Sequence, residues 1–314
     1  MFEKFYFLHI PKTAGTSLRY WLFDFFPVGA FLECYHLHQL KEKSPDIINC
    51  SNFYSGHFGI KIYQYLSQKP TTITWLRNPV EREISQYFYL KSKAQEFIND
   101  PDKPVLSITP AASEYLEAIQ ELSLPQLCKE KNIGYCDNLQ VRYLAGLSPG
   151  NTEFQPCTAN VLELAKENLA NLDFFGVCEQ MQASIILFCH KFNLPPKKFD
   201  LFLNRHEQNK GKETLFSPED IEVIRENNKY DLELYAFANN LFNQRISSML
   251  EQLSRDQKSF VTLEDYRGKS AIFPQGIRVH DHNLSYDPKI TESLLELEIE
   301  RKFQSKPVLP IETP

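Results

Sequence analysis

The sequence has no basic excess and no long apolar run. Its 314 residues include 34 Lys and Arg against 40 Asp and Glu, which gives a formal net charge of −6. A protein that binds nucleic acid non-specifically would carry a basic excess, so no nucleic-acid partner is expected. No stretch of about 18 apolar residues is present to form a membrane-spanning helix, and the N-terminal residues lack the pattern of a secretory signal. We therefore expect a soluble, cytoplasmic globular protein without a membrane span.

The seven cysteines lack the spacing of a metal or disulfide site. None forms a CxxC pair, and an odd number cannot all be joined within one chain. We expect reduced thiols rather than a disulfide framework or a zinc site. Aromatic residues, by contrast, make up 13% of the chain, with 24 Phe and 15 Tyr. This supply of large apolar side chains excludes wholesale disorder and predicts a substantial core.

Short apolar runs alternate with helical patterns along much of the chain. The runs at 4–10 (KFYFLHI), 71–76 (TTITWL) and 174–177 (FFGV) are predicted to be buried strands. Helical spacing follows at 16–26, from Pro79 onward, and at 138–145, 161–172, 180–192 and 218–242. Val80, Ile84 and Phe88 form the apolar face predicted for the helix after Pro79. Strands that alternate with helices predict an α/β fold with a central, largely parallel sheet flanked by helices.

The character of the sequence changes after about residue 250, where it becomes polar. We predict one domain over residues 1–250 and a C-terminal extension over 251–314. Within the domain, we predict an acceptor-side insertion at about 92–135, a segment that contains several prolines. The extension contains one amphipathic stretch at 290–303. A lid, a segment wrapped around the core and a homodimer contact are open alternatives for it.

The segment from His9 to Ser17 (HIPKTAGTS) lies between the first predicted strand and the first predicted helix. A helix N-terminus presents unpaired N–H groups and the positive end of the helix dipole, which attract phosphate or sulfate. Gly15 lets the backbone approach an anion, Lys12 adds a positive charge, and hydroxyl donors follow at Thr13, Thr16 and Ser17. The alternative is an ordinary glycine turn with a Ser or Thr cap. A Walker P-loop is excluded because its Lys follows the second Gly of GxxxxGK[ST], whereas no Gly precedes Lys12.

A second segment, from Arg77 to Ser85 (RNPVEREIS), begins at the carboxyl end of the second predicted strand. Ligands of open α/β sheets bind at such strand ends. Arg77 is suited to hold a phosphate, and Ser85, about two helical turns later, is suited to donate to it. The alternative is an ion pair between Arg77 and Glu81 with an exposed Ser85. Together with the first loop, this segment indicates a nucleotide with phosphates at both ends.

The two segments together resemble the sulfotransferase superfamily, and in particular carbohydrate sulfotransferases of the heparan and uronosyl type and their bacterial relatives. Further matches in order and spacing are residues 55–59 (SGHFG), 138–146 (NLQVRYLAG), 175–179 (FGVCE) and 227–235 (NNKYDLELY). The resemblance covers roughly residues 5–245 and implies a P-loop-NTPase-like three-layer fold. It implies an enzyme that transfers a sulfuryl group from 3′-phosphoadenosine 5′-phosphosulfate (PAPS) to a hydroxyl of a carbohydrate or another metabolite. The product 3′-phosphoadenosine 5′-phosphate (PAP) is released, and no metal is expected.

The resemblance also implies roles for the residues at matching positions. His57 matches the general base, and Lys12 matches the lysine that contacts the bridging and sulfonate oxygens. The residues assigned to the 5′-phosphosulfate are Lys12, Thr13, Ala14, Gly15, Thr16 and Ser17, and those assigned to the 3′-phosphate are Arg77 and Ser85. A late basic loop over the nucleotide is assigned to Lys210 and Lys212. Some relatives have a second histidine where this sequence has Ser55.

Contacts with the acceptor are predicted for His36, Tyr87 and Arg142. An aromatic ring such as Tyr87 can stack on a sugar, although a place in the core is its alternative. His36 and His38 are either metal ligands, acceptor contacts or part of a polar face. Two other functions stay open: an ATP-dependent phosphotransferase, which predicts Mg²⁺ dependence, and a non-catalytic nucleotide-binding or glycan-binding module on the same fold.

Overall fold

The structure is a computed structural model that describes residues 4–23, 25–26, 31–32, 34–99, 118–129, 136–147, 155–194 and 215–256, together with short segments at 271–272, 278–280 and 283–284. Backbone packing divides the chain into two compact units. The first is Met1–Glu179 with Leu201–Leu241, and the second is Gln180–Asp200 with Phe242–Pro314. The domain boundary expected near residue 250 stays a prediction.

A four-stranded parallel sheet lies at the centre of the first unit. Its strands are β1 (Phe5–Leu8), β2 (Phe53–Gly56), β3 (Thr71–Leu76) and β4 (Phe174–Val177), in the spatial order β2-β1-β3-β4. Nearly every residue of these strands is buried, as expected for a parallel sheet that is covered on both faces. The predicted α/β class with a parallel sheet is confirmed, and β3 and β4 have the predicted bounds.

The helices of the first unit follow the strands in alternation. They are α1 (Gly15–Phe23), α2 (Leu37–Lys41), α3 (Pro45–Cys50), α4 (Pro79–Asn99), α5 (Leu124–Lys129), α6 (Leu139–Ala145), α7 (Ala159–Ala170) and α9 (Pro218–Asn227), and a 3-10 helix spans Gly59–Tyr65. The second unit holds α8 (Met181–Lys191), and the long α10 (Lys229–Asp256) begins in the first unit and ends in the second. Three short strands, β5 (Ala271–Ile272), β6 (Arg278–His280) and β7 (Asn283–Leu284), pair antiparallel in the second unit.

One face of α4 packs into a cluster outside the sheet. Val80, Ile84 and Tyr87 of α4 lie in this cluster with Leu127 of α5 and Ile224 of α9. Phe88, which the four-residue spacing placed on the apolar face, is only partly buried. Because α4 continues to Asn99, residues 92–99 of the predicted insertion belong to this helix.

All seven cysteines lie among the described residues and are free thiols. In the part of the chain that the structure describes, no helix is long and apolar enough to cross a membrane.

Candidate active site

The four parallel strands end at one edge of the sheet, and each is followed by a polar segment. Leu8 of β1 pairs with Gly56 of β2 and Thr74 of β3, and Leu76 of β3 pairs with Val177 of β4. The residues that follow the strand ends are therefore brought to the same side of the sheet: His9 and Lys12 after β1, His57 after β2, Arg77 after β3 and Glu179 after β4. Strand ends of this kind are the usual ligand site of an open α/β sheet.

The loop after β1 has an unusual backbone conformation. Lys12 and Ala14 have φ angles of 68° and 60°, the left-handed region that side-chain-bearing residues seldom adopt. Between them, the buried Thr13 hydroxyl donates to the carbonyl of Ile10 at 2.9 Å, which holds the turn in place. Helix α1 starts immediately afterwards, with Leu18 N–H donating to Ala14. Backbone strain of this kind is concentrated at binding sites, where surrounding contacts maintain it.

Position 15 must be a glycine because the ring of His9 fills the space that a side chain there would need. A Cβ placed on Gly15 would lie 1.7 Å from Nε2 of His9, so the imidazole occupies the space of a side chain at the start of α1. His9 is 5% exposed, and its Nδ1 has no hydrogen-bond partner among the described residues. Burial, followed by the neighbouring His57, Arg19 and Lys12, holds the pKa of His9 well below its usual value. The loop thus has a neutral imidazole at its base.

Arg77 joins the two segments that the sequence singled out. Its Nη1 donates to the carbonyl of Lys12 at 3.3 Å, and its Nη2 lies 3.4 Å from Oε2 of Glu81. The ion pair that was the alternative interpretation is therefore present, but the same guanidinium also reaches the first loop. Its side chain retains 29% exposure, so it can bind a ligand from solvent.

His57 is held in a single tautomer by the backbone. Its Nδ1 lies 2.9 Å from the carbonyl oxygen of His9. A carbonyl oxygen can only accept, so Nδ1 carries the hydrogen and Nε2 carries the lone pair. Burial lowers the pKa of His57 to about 4, with the His9 carbonyl opposing the shift and His36 adding to it. At neutral pH the ring is uncharged and able to accept a proton at Nε2.

Three further rings lie close to His57. The ring of His9 is 4.6 Å away between centroids, that of Tyr35 is 5.3 Å away and that of His36 is 5.5 Å away. His36 also stacks on His38 at 5.6 Å with an interplanar angle of 10°. Burial, with His38 as a second cause, lowers the pKa of His36. The predicted acceptor contact His36 is thus placed beside the predicted base.

The ammonium group of Lys12 lies over an exposed aromatic ring. Its Nζ is 4.2 Å from the ring centroid of Tyr89, which is 45% exposed. A cation at this distance is attracted by the face of the ring. Ser85 lies one helical turn before Tyr89 on α4 and is partly exposed. Lys12 therefore contacts both Arg77, through its carbonyl, and Tyr89 of α4, through its ammonium group.

Two of the predicted acceptor contacts, Arg142 and Tyr87, are buried side chains. Arg142 is 2% exposed and donates to the carbonyls of Asp137 and Gln155 and to the carboxylate of Asp137. Tyr87 is 5% exposed and lies in the cluster beneath α4. Both side chains are thus buried and have partners within the fold, and the acceptor contacts expected of Arg142 and Tyr87 stay predictions. Lys210 and Lys212 lie outside the described residues.

Sequence reasoning missed the residues that fix the Arg77–Asn78 turn. Gln140 bonds both polar backbone groups of Arg77, and the carboxylate of Glu179 accepts the N–H of Asn78 at 2.7 Å. Both belong to segments that were singled out for their resemblance, 138–146 and 175–179, but no pattern in those segments indicated which backbone they would contact. Among the described residues, no group of three or more His, Cys, Asp or Glu side chains is placed to hold a metal ion.

Fold and site define a class: an α/β protein whose parallel strands end in a strained basic loop, an arginine and a neutral imidazole. The chain belongs to the Sulfotransferase family, whose profile matches residues 2–238. This confirms the resemblance stated from the sequence.

Curated relatives of the chain are named as heparan-sulfate sulfotransferases. Heparan-sulfate 6-O-sulfotransferase 2 of Danio rerio is 30% identical over 200 residues, which is 59% of this chain and 41% of that protein. Heparan-sulfate 6-O-sulfotransferase 1 of Cricetulus griseus is 28% identical, and that of Homo sapiens is 29% identical, with 48% and 46% of their lengths covered. The match spans less than half the length of these relatives.

Proposed function

We propose that this chain is a PAPS-dependent sulfotransferase that transfers a sulfuryl group to a hydroxyl of a carbohydrate or another metabolite. One observation carries the proposal: three groups lie at the same edge of the sheet. They are the loop that contains Lys12, the guanidinium of Arg77, which donates to the Lys12 carbonyl at 3.3 Å, and the imidazole of His57, which contacts the His9 carbonyl. Family membership supports the reaction class. The names of the relatives support a saccharide as acceptor.

The residues present fit a donor with anionic groups at both ends. The N-terminus of α1, where the positive end of the helix dipole attracts anions, follows the loop of Lys12 directly and is the position proposed for the 5′-phosphosulfate. Arg77 and Ser85 are proposed to hold the 3′-phosphate, where a guanidinium can form charge-assisted hydrogen bonds. Bound in this way, PAPS supplies an activated sulfuryl group.

The chemistry left to the protein is proton transfer and charge stabilisation. Nε2 of His57 accepts the proton of the acceptor hydroxyl while that oxygen forms its bond to sulfur. The bond between sulfur and the bridging phosphate oxygen breaks, and its electron pair leaves with PAP. Lys12 neutralises the charge that develops on this leaving oxygen. His36, whose ring is 5.5 Å from that of His57, is proposed to contact the acceptor.

Calorimetric titration with PAP and with ATP, each with and without Mg²⁺, tests the donor site. We expect PAP to bind independently of Mg²⁺ and ATP to bind more weakly, because the site offers cations for two separated phosphates. A preference for ATP with Mg²⁺ would contradict the proposal and favour a phosphotransferase. Incubation with ³⁵S-labelled PAPS and a panel of saccharides that includes heparan sulfate then tests transfer. PAP binding without transfer to any of them would favour a non-catalytic module.

A further inference from the structure

The backbone of Arg77 is held by a glutamine side chain that the function described so far does not use. Arg77 N–H donates to Oε1 of Gln140 at 3.0 Å, and Nε2 of Gln140 donates to the Arg77 carbonyl at 2.9 Å. Gln140 is fully buried. Its amide therefore gives Arg77 the pair of hydrogen bonds that a neighbouring strand would give.

This pairing occurs where the sheet can no longer supply it. The last registered pair between β3 and β4 is Leu76 with Val177, and Arg77 is the next residue of the chain. Without Gln140, the N–H and C=O of Arg77 would each need another partner, since unpaired buried backbone groups are costly. Asn78 is held in a similar way, because its N–H donates to the carboxylate of Glu179 at 2.7 Å.

Gln140 is itself fixed from a second element. The carboxylate of Asp231, at the start of α10, accepts the N–H of Gln140 at 3.0 Å and that of Val141 at 2.7 Å. In return, Asp231 N–H donates to Oδ1 of Asn138 at 2.9 Å. Helix α6 has only seven residues, too few for it to be stable in isolation, so these contacts determine where the Gln140 side chain lies.

Fixing the backbone of Arg77 also restricts where its guanidinium can lie. An arginine side chain has several rotatable bonds, and its terminal group reaches a fixed anion only when the backbone from which it extends is fixed. The guanidinium donates to the carbonyl of Lys12, 3.3 Å away, and the place of this terminal group depends on the backbone that Gln140 holds. We propose that Gln140 is a positioning residue of the anion site, which clamps the Arg77 backbone so that the guanidinium meets the 3′-phosphate of the nucleotide. This inference rests on the proposed function.

A double-mutant cycle measured by calorimetry with PAP tests the inference. The variants are Gln140→Met, which removes both hydrogen bonds at similar volume, Gln140→Glu, whose carboxyl group can keep both hydrogen bonds when burial holds it protonated, and Arg77→Ala. We expect Gln140→Met to weaken PAP binding roughly tenfold and Gln140→Glu to weaken it less, because each lost hydrogen bond has a modest net effect. In the Arg77→Ala background, itself weakened roughly a hundredfold, neither substitution should weaken binding further, since Gln140 acts through Arg77.

A matched glutamine provides the control. Oε1 of Gln126 accepts the backbone N–H and the hydroxyl of Ser123, both at 2.8 Å, at the start of α5. Gln126→Met should leave PAP affinity unchanged, and circular dichroism identifies any variant that has not folded. The inference is overturned if folded Gln140→Met binds PAP as tightly as the unmodified chain, or if this substitution costs as much affinity in the Arg77→Ala background as it does when Arg77 is present. If the unmodified chain does not bind PAP at all, the proposed function itself has failed.

Discussion

At the scale of single residues, the backbone of His9 determines the chemistry of His57. The carbonyl of His9 fixes the hydrogen on Nδ1 of His57, and burial keeps the ring neutral by lowering its pKa to about 4. A low pKa makes the imidazole a weak base before the reactants bind, but it keeps the proton-accepting form populated throughout the neutral range. An anionic donor beside the ring would raise this pKa and make proton transfer more favourable.

Substitution of His57 by alanine tests its place in the reaction. We expect His57→Ala to lower turnover by roughly 10²–10⁴-fold, the usual contribution of a general base, and to change PAP affinity little, because the proposed phosphate ligands are Lys12, Arg77 and Ser85. Initial rates with labelled PAPS and calorimetry with PAP measure the two quantities separately. His190→Ala, which alters a histidine outside the proposed site, serves as the control. Unchanged turnover in His57→Ala would remove it from the role of base.

Tyr87 and Tyr89 illustrate what the sequence could not decide about single side chains. A run of three aromatics at 87–89 does not show which ring faces the core, because the helical phase depends on what packs against the helix. Contacts from α5 and α9 bury Tyr87 and leave Tyr89 45% exposed beside Lys12. Those contacts come from parts of the chain distant in sequence, so no local pattern records them.

At the scale of elements, burial on both faces made the strands predictable. Continuous apolar runs identified β3 and β4 with their bounds and located β1 within one residue at its start and two at its end. β2 was missed because its four residues, Phe53–Gly56, end in a serine and a glycine that resemble loop residues. These four residues form a strand because they pair with β1, and His57, the next residue, therefore lies at the edge of the sheet.

The short helix α6 depends on one buried carboxylate at its N-terminal end. Asp231 accepts the N–H groups of Gln140 and Val141, so its replacement by alanine leaves two buried backbone donors unpaired. We expect Asp231→Ala to reduce the free energy of unfolding by about 2–6 kcal/mol, since each of the two buried unsatisfied donors costs about 1–3 kcal/mol. Urea denaturation monitored by circular dichroism measures the change.

The N-cap of α9 offers the comparison for this prediction. The hydroxyl of Ser217 accepts the N–H of Asp220 at 3.1 Å in an exposed position. Ser217→Ala should cost only about 1 kcal/mol, because water can replace the lost acceptor. Equal losses for the buried and the exposed cap would show that Asp231 does not have the structural role assigned to it.

At the scale of the whole molecule, the net charge is negative, but one part of the chain carries a small positive charge. Residues 1–90, which contain both predicted phosphate segments, carry nine Lys and Arg against seven Asp and Glu, while the whole chain has a net charge of −6.

Burial shifts the pKa values of the buried histidines and of the buried carboxyl groups in opposite directions. Burial lowers the pKa values of His9, His36 and His57, and it raises that of Glu83 to about 7 and that of Asp231 to about 6.

These two sets act oppositely on stability as the pH falls. Below pH 6.5 an unfolded chain protonates its histidines while His57 stays neutral until about pH 4, so this part of the stability is lost over that interval. Glu83, in contrast, takes up its proton near pH 7 in the folded chain, before an unfolded chain would do so near 4.5. Its contribution to stability therefore increases as the pH falls.

Unfolding free energies at pH 7.0 and 4.5 separate the two sets. Relative to the unmodified chain, His57→Gln should gain about 2 kcal/mol between pH 7.0 and 4.5, because it removes a group whose pKa is lowered by burial. Glu83→Gln should change in the opposite direction, since it removes a carboxyl group that becomes neutral in the folded chain as the pH falls. Urea denaturation of the three proteins at both pH values gives the differences. A His57→Gln difference that is the same at both pH values would contradict the lowered pKa of His57.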